Sequence, residues 1–217
     1  MGGCPVKATL IQLNVGEPKE YVWKDQVEQS AIGKSKVAEV YLSKAGFASD
    51  GVANTKAHGG PDRAVCLYPY EHYTLWEKEF GQRLSIPAFG ENITTVGMTE
   101  KEMYIGDVVQ LGEAVIEVTQ GRVPCSTISK HNGINPLLNR IVETSLTGYF
   151  FRVIEEGNIL ADAKIKLLDR VQENYSILRG NQILFHEQEN IAAIEEMLQL
   201  KALSDEWRGR FNKILAR

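Results

Sequence analysis

Cysteine is scarce in this chain of 217 residues, and the spacing of its cysteines excludes two kinds of site. Cys4, Cys66 and Cys125 stand far apart, form no C-x-x-C pair and make an odd total. Zinc knuckles need closely spaced pairs, and disulfide frameworks need an even number of cysteines. Each cysteine must therefore be interpreted from its own surroundings.

Long hydrophobic runs and excess positive charge are also absent. No stretch of eighteen apolar residues occurs, and the first residues, MGGCPVKATL, lack the charged and apolar regions of a signal peptide. The 24 Lys and Arg against 28 Asp and Glu give a net charge of -4, whereas nucleic-acid-binding proteins usually need a concentrated basic face. These features predict a cytoplasmic protein with no nucleic-acid or membrane partner. Local basic groups can still hold a small anion.

Several signature motifs of cofactor enzymes are missing. The chain has no G-x-G-x-x-G after a strand, no G-x-x-x-x-G-K-[ST], no H-E-x-x-H and no four-cysteine iron–sulfur ligand set. We therefore expect no iron–sulfur cluster, and neither haem nor pyridoxal phosphate. Any redox chemistry would need electrons from a separate protein.

Alternating apolar residues dominate the chain up to about Arg170. Short segments of this kind, separated mostly by Gly, Asp, Asn or Pro, predict many strands and few long helices. This pattern is typical of a closed or partly closed β-barrel, so the predicted fold is mainly β with added helices. The segments are ATLIQLNV, KVAEVYL, AVCLYP, ENITTV, DVVQLG, AVIEVT, GYFFRVI and AKIKLLD.

Two helices are predicted within the strand-rich part. Residues 70–80 carry an aromatic stripe at helical spacing and end at Gly81, a typical helix stop. His72 is predicted on the solvent face of this helix. A second short helix is predicted to begin at Pro136, whose fixed φ suits the first helical position.

The pattern changes to helical periodicity after Arg170, which predicts a barrel domain at residues 1–170 and a three-helix domain at 171–217. The helices are predicted at residues 177–186, at 191–200 after an Asn190 cap, and from a Ser204 cap onward. Their apolar stripes favour packing on each other or on the barrel over forming a cofactor box.

Cys125 is the most informative single residue. It follows a predicted strand and Pro124, which cannot donate to a β-ladder, so its thiol is predicted just past a strand end. Beside Arg122, and with a second basic cluster of Lys56, His58 and Arg63, the thiol could be kept as the thiolate that attacks electrophiles and binds soft metals. A buried structural cysteine is an equally good interpretation from these residues alone. Cys66, in contrast, lies in a strand-like segment and is predicted to pack in the core.

The stretch KAHGGPDRAV offers a second candidate site. Gly59 and Gly60 allow close approach of backbone N–H groups to a ligand, while His58 and Arg63 add donors for phosphate or a carbonyl. The alternative is a plain turn with a solvent-exposed ion pair between Asp62 and Arg63. Further along, an Asn92 side chain could contact a polar ligand or could stabilise its own turn.

Four motifs in order, KAHGGPDRAV, PAFGEN, YIGDVVQLG and TQGRVPC, resemble those of the MOSC domain family. The chain is most similar to the YiiM type of this family, including a C-terminal helical extension. The resemblance implies a β-barrel-like fold and a molybdenum cofactor, with Cys125 as metal ligand or persulfide carrier. It also implies an anion-binding role for certain basic residues and pterin contacts from two amides. The basic residues are Lys34, His58, Arg63 and Arg122, and the amides are Asn92 and Gln120.

The resemblance is incomplete at one place near the site. Relatives often have Gly-Asp-x-Gln-Ala-Asp before the histidine, whereas this chain has Ser-Asp-Gly-Val-Ala-Asn at residues 49–54. The resemblance therefore leaves open whether this segment contributes acidic contacts.

Three functions are compatible with these features. The first is a molybdenum-dependent reductase of N-hydroxylated small molecules such as hydroxylaminopurines, with Cys125 and His58 as catalytic residues and a separate electron-donor reductase. The second is a sulfur carrier with a Cys125 persulfide that serves a metal or cofactor assembly. The third is a non-catalytic binding module with a structural Cys125. A homodimer is compatible with each.

Overall fold

The computed structural model describes residues 7–53 and 59–217, and these residues form thirteen strands, six α-helices and one 3-10 turn. The strands are β1 Thr9–Val15, β2 Lys19–Trp23, β3 Gln26–Ser30, β4 Ser35–Lys36, β5 Glu39–Ser43, β6 Gly46–Phe47, β7 Val65–Pro69, β8 Ile93–Val96, β9 Val108–Leu111, β10 Ala114–Gly121, β11 Tyr149–Glu155, β12 Gly157–Leu160 and β13 Ile165–Asp169. The helices are α1 Tyr70–Phe80, α2 Thr127–Asn132, α3 Leu137–Thr144, α4 Ile177–His186, α5 Ile191–Gln199 and α6 Asp205–Leu215, and the 3-10 turn is Pro61–Arg63.

Eight strands form one curled sheet in the order β13-β9-β10-β11-β7-β8-β1-β4. Register shifts in β1, β10 and β13 bend the sheet, because each places an extra residue on one strand of a pair. All pairs are antiparallel except β7 and β8, which are parallel and connected through α1. The predicted mainly-β, partly closed barrel is confirmed as a curled half-barrel. The β2–β3 hairpin and the β12-β5-β6 sheet lie outside it.

Strand β10 shows why the helical unit packs where it does. Its first five residues alternate between buried and partly exposed, as expected for a strand with one covered face. Thr119, Gln120 and Gly121 are all buried, so both faces of the strand are covered at its end. The second cover comes from the C-terminal helices, since a Cβ on Gly121 would lie 1.9 Å from Oδ1 of Asn181 in α4. Only glycine allows this approach without a shift of the Asn181 side chain.

Three capped helices form the C-terminal unit, as predicted. The Ser176, Asn190 and Ser204 side chains accept hydrogen bonds from backbone N–H groups in the first turns of α4, α5 and α6. Trp207 and Phe211 are fully buried and belong to one hydrophobic cluster with the barrel residues. This confirms that the apolar stripes pack on the barrel. The division into domains at residue 170 stays a prediction.

The predicted position of His72 is wrong. The helix α1 has its predicted bounds and ends at Gly81 in the left-handed conformation, but His72 is only 5% exposed. Its Nε2 lies 2.6 Å from Oε2 of the buried Glu100. Residues 72 and 76 are one helical turn apart, so His72 shares the inward face of Trp76. A polar residue on that face is tolerated because it has a buried partner.

The described part of the chain, residues 7–53 and 59–217, contains no helix that is long and apolar enough to cross a membrane.

We expect Trp207→Ala to lower the free energy of unfolding by about 3–5 kcal/mol, because it removes a fully buried indole between barrel and helices. Val22→Ala is the control: this side chain is 70% exposed, and we expect a change below about 0.5 kcal/mol. Urea unfolding followed by far-UV circular dichroism and tryptophan fluorescence measures both. A separate early loss of helix with the barrel unaffected would contradict a shared core.

Candidate functional site

A cavity of about 900 Å³ lies between the half-barrel and the first turns of α6. Five of the residues predicted for the site line it, namely Lys34, Arg63, Asn92, Arg122 and Cys125. Gln120 is fully buried and donates to Glu206, which does line the cavity. His58 lies outside the described residues. The fold thus brings together groups that are more than ninety residues apart in sequence.

Cys125 lies in the loop between β10 and α2, as predicted for a thiol just past a strand end. Its backbone carbonyl accepts from the N–H of Ile128, which fixes the start of α2. The residue is partly buried, and it belongs to neither hydrophobic cluster of the described residues. A thiol in this position faces the cavity and is not used for core packing.

Cys66 is a second thiol on the same cavity wall. It lies in β7 and is only 6% exposed, which confirms its predicted burial. Burial raises the pKa of this thiol, and the neighbouring Arg122 guanidinium, with Nη1 3.9 Å from Sγ, opposes the shift only in part. Since the thiolate is the reactive form, Cys66 is the less reactive candidate at neutral pH.

Lys34 and Asp50 form a buried ion pair on the barrel side of the cavity. Their side chains are 5% and 13% exposed. Asp50 also accepts from the Gly16 N–H at 2.8 Å and from Asn92 Nδ2 at 2.8 Å. Asp50 belongs to the segment 49–54 that departs from the pattern of relatives, so this segment does supply an acidic contact.

The Asn92 side chain is engaged entirely with the protein. Its Oδ1 accepts from the Cys66 N–H at 3.0 Å, and its Nδ2 donates to Asp50 and to the Asn14 carbonyl at 3.3 Å. It is 4% exposed. These contacts favour the interpretation in which Asn92 holds the loop and Asp50 in place.

Arg63 pairs with a residue of the C-terminal helix. Its Nη1 lies 3.0 Å from Oε2 of Glu206, and its Nη2 donates to the Gly59 carbonyl. The alternative of a solvent-exposed ion pair between Asp62 and Arg63 is not what the structure shows, because the Asp62 carboxylate pairs with Arg152 at 2.9 Å. Asp62 and Arg63 are both partly buried, so the stretch GGPDRAV is more than a solvated turn.

The sequence position of Arg122 indicated a contact with the Cys125 thiol, whereas its side chain contacts Phe89 and Cys66. Arg122 follows β10 and precedes Cys125, but its guanidinium donates to the Phe89 carbonyl and contacts the Cys66 sulfur. Its own N–H donates to the Gly148 carbonyl at 2.9 Å. The backbone and the guanidinium of Arg122 are therefore each held by a carbonyl group at the cavity wall.

The charged residues on the cavity wall favour an anion. Four cations and two carboxylates line the cavity among the described residues, although the whole chain has a net charge of -4. A concave site with an excess of one sign of charge concentrates its field and attracts the opposite charge. Sequence reasoning left the contribution of Asp50 open and missed Glu206 and Arg210, which no local motif marks. The set is Lys34, Arg63, Arg122, Arg210, Asp50 and Glu206.

Comparison with known proteins gives a consistent result. Residues 54–166 match the MOSC domain, and residues 176–217 match the YiiM-like 3-alpha helix domain. The chain belongs to the MOSC domain family. The protein YflK of Bacillus subtilis (strain 168) is 41% identical over 207 residues, covering 94% of this chain and 93% of YflK.

Two further relatives extend the comparison. The crystal structure of YiiM from Geobacillus stearothermophilus superposes with a TM-score of 0.82 at 34% identity, covering 96% of this chain and 99% of that protein. A protein named Reductase from Gibberella moniliformis (strain M3125 / FGSC 7600) is 28% identical over 200 residues, which are 90% of this chain but 36% of that protein. The cavity thus joins two family segments, since Arg63, Arg122 and Cys125 lie in the MOSC segment and Glu206 in the helical one.

We expect Asp50→Ala to destabilise this MOSC protein by about 3–5 kcal/mol, because it leaves the Lys34 ammonium buried without its partner. Glu143→Ala is the matched control: it breaks an ion pair with Arg140 in which the Glu143 side chain is 59% exposed, and the expected cost is below about 1 kcal/mol. Chemical denaturation measures both. Equal costs for the two variants would contradict a buried pair.

We expect iodoacetamide to alkylate Cys125 about tenfold or more faster than Cys66 at neutral pH, since burial and a raised pKa suppress the Cys66 thiolate. The Cys66 rate should rise only at more alkaline pH, because a raised pKa lowers the thiolate fraction at any given pH. Mass spectrometry of tryptic peptides follows the two sites in one sample. Comparable rates would show that the cavity does not distinguish the two thiols.

Proposed function

We propose that the cavity binds a molybdenum cofactor with Cys125 as the protein ligand to the metal, and that the protein reduces N-hydroxylated small molecules. The observation that carries this proposal is the convergence of one accessible thiol and four cationic side chains on a single cavity. A thiolate is a suitable soft ligand for such a metal, and the cations suit the phosphate of a pterin. The membership in the MOSC domain family supports the same cofactor class.

The residues present fit the cofactor in size and in charge. A volume of about 900 Å³ lies within the usual range of sites for small molecules and cofactors. Lys34, Arg63 and Arg122 would hold the anionic end of the pterin. Gln120 does not line the cavity: it is fully buried and reaches the wall through its hydrogen bond to Glu206, so its role here is to hold Glu206, with no direct contact with the pterin.

The chain's own groups would bind and orient the cofactor and the substrate, and would supply protons to the substrate. Reduction of an N-hydroxyl group to an amine and water consumes two electrons and two protons. The bound cofactor would supply the two-electron chemistry. The protons would come from His58 or from water. The electrons would come from a separate reductase, and a fungal relative of greater length that is named Reductase supports a place in a redox system.

A sulfur carrier is the second candidate function, and the partial exposure of Cys125 favours it. A persulfide on an accessible loop thiol could be passed to a metal or cofactor assembly. This function shares Cys125 with the first and needs no bound molybdenum. The two proposals therefore differ in what the purified protein contains.

We expect near-stoichiometric molybdenum in protein made in cells that synthesise the cofactor, and its loss in Cys125→Ser. Cys66→Ala is the matched control, since it removes the other thiol of the same cavity and should keep the metal. Elemental analysis after a check of folding measures all three. Only the metal-bearing forms should reduce a hydroxylaminopurine with a chemical electron donor.

Two results would contradict the reductase. Molybdenum that stays in Cys125→Ser would remove this thiol as the ligand. Absence of molybdenum from every form, together with a persulfide mass on the Cys125 peptide, would favour the sulfur carrier instead.

A further inference from the structure

Glu206 joins the helical unit to the cavity through one carboxylate. Its Oε2 accepts from Arg63 Nη1 at 3.0 Å and from Gln120 Nε2 at 2.9 Å, and its Oε1 accepts from Arg210 Nε at 2.9 Å. Arg63 is 13% exposed and Glu206 is 24% exposed at the side chain. The carboxylate therefore lies where it can determine the direction of the Arg63 guanidinium.

The position of Glu206 is itself fixed by the barrel. The Ser204 side chain caps α6 by accepting from the Trp207 N–H at 3.1 Å, and its backbone N–H donates to the Thr119 carbonyl of β10 at 3.3 Å. The next N–H, of Asp205, donates to Asp62 Oδ2 at 3.0 Å. An acidic residue in the first turn is also favoured by the helix dipole. The first turn of α6 is thus a rigid platform for the Glu206 side chain.

We propose that Glu206 is a positioning residue that holds the Arg63 guanidinium toward the cavity, so that the three-helix unit sets the affinity of the site for a phosphate-type anion. This rests on the proposed function only in taking the ligand to be anionic. The fork of a guanidinium binds a phosphate well only in a defined orientation, and Glu206 contributes to that orientation from outside the barrel, beside the Gly59 carbonyl that accepts from Nη2.

Neutralising Glu206 should change the anion affinity in the direction opposite to that expected from simple electrostatics. A carboxylate on the wall repels an anion, so its neutralisation alone would strengthen anion binding. If Glu206 acts by positioning Arg63, its neutralisation weakens binding despite the gain in net positive charge. The direction of the change separates the two effects.

The test is a double-mutant cycle with inorganic phosphate as the probe at low ionic strength. Amide shifts of Gly59, Gly60 and Gly90, which line the cavity, report binding at the site. We expect Glu206→Gln to weaken phosphate affinity by roughly threefold to tenfold, and Arg63→Gln by at least as much. The double variant should bind no more weakly than Arg63→Gln alone, because Glu206 acts through Arg63.

Two further variants keep the test decisive. Glu195→Gln makes the same charge change at an exposed position of α5 and should leave phosphate affinity unchanged. Glu206→Asp keeps the charge but shortens the side chain, and it replaces Glu206→Gln in the double-mutant cycle if Glu206→Gln does not fold. It should also weaken phosphate binding when Arg63 is present, and should have no effect on phosphate binding in the Arg63→Gln variant. Thermal unfolding checks that each variant is folded.

The proposal is overturned if Glu206→Gln strengthens phosphate binding or leaves it unchanged, or if it weakens binding equally in both backgrounds. Molybdenum content of the same variants distinguishes this result from the proposed function. The expected cycle without any molybdenum would support the role of Glu206 and remove the cofactor. Normal molybdenum content with no effect of Glu206→Gln on phosphate affinity would support the cofactor and remove the positioning role of Glu206.

Discussion

The docking of the first turn of α6 on the end of β10 is the contact on which the cavity depends. The N–H groups of Ser204 and Asp205 donate to Thr119 and Asp62 of the barrel, and Arg152 bridges the Asp62 carboxylate and the Ala202 carbonyl. These bonds satisfy N–H groups that every helix leaves without an intrahelical partner. The same turn therefore begins α6, covers the end of β10 and presents Glu206 to the cavity. Stability and site geometry share one set of contacts.

The charge of the cavity follows from the cost of burying ions. A buried ammonium or guanidinium is tolerated only with a partner, and Lys34 and Arg63 each have one carboxylate, Asp50 and Glu206. Arg122 is held by the Phe89 carbonyl, so its charge is not cancelled by an acidic group at that contact. The wall is consequently positive on balance, and its less exposed cations, Lys34, Arg63 and Arg122, are held in place. Fixed cations bind an anion with less loss of side-chain freedom than mobile surface lysines.

Much of the fold could be predicted because its signals are local. Short apolar, mostly alternating segments located seven of the eight strands of the curled sheet but not β4, and caps and stripes located the helices, since these signals depend on neighbouring residues. Cys125 was correctly placed past a strand end for the same reason. Glu206 was missed, because its contact with Arg63 spans 143 residues and leaves no pattern in either segment. His72 was misplaced, because its buried partner Glu100 is not apparent from the helix alone.

The form of the cavity also bears on the choice between the two functions that share Cys125. A persulfide adds one sulfur atom to a thiol, and it needs little more than access and one nearby positive charge. A cavity of about 900 Å³ with four cations on its wall exceeds that need, and one of those cations, Arg63, is held by Glu206 of the helical unit. Buried and partly buried charges cost stability unless they are paired, and Lys34 and Arg63 are each paired with a carboxylate. The size and charge of the wall thus favour a large anionic cofactor over a single sulfur atom.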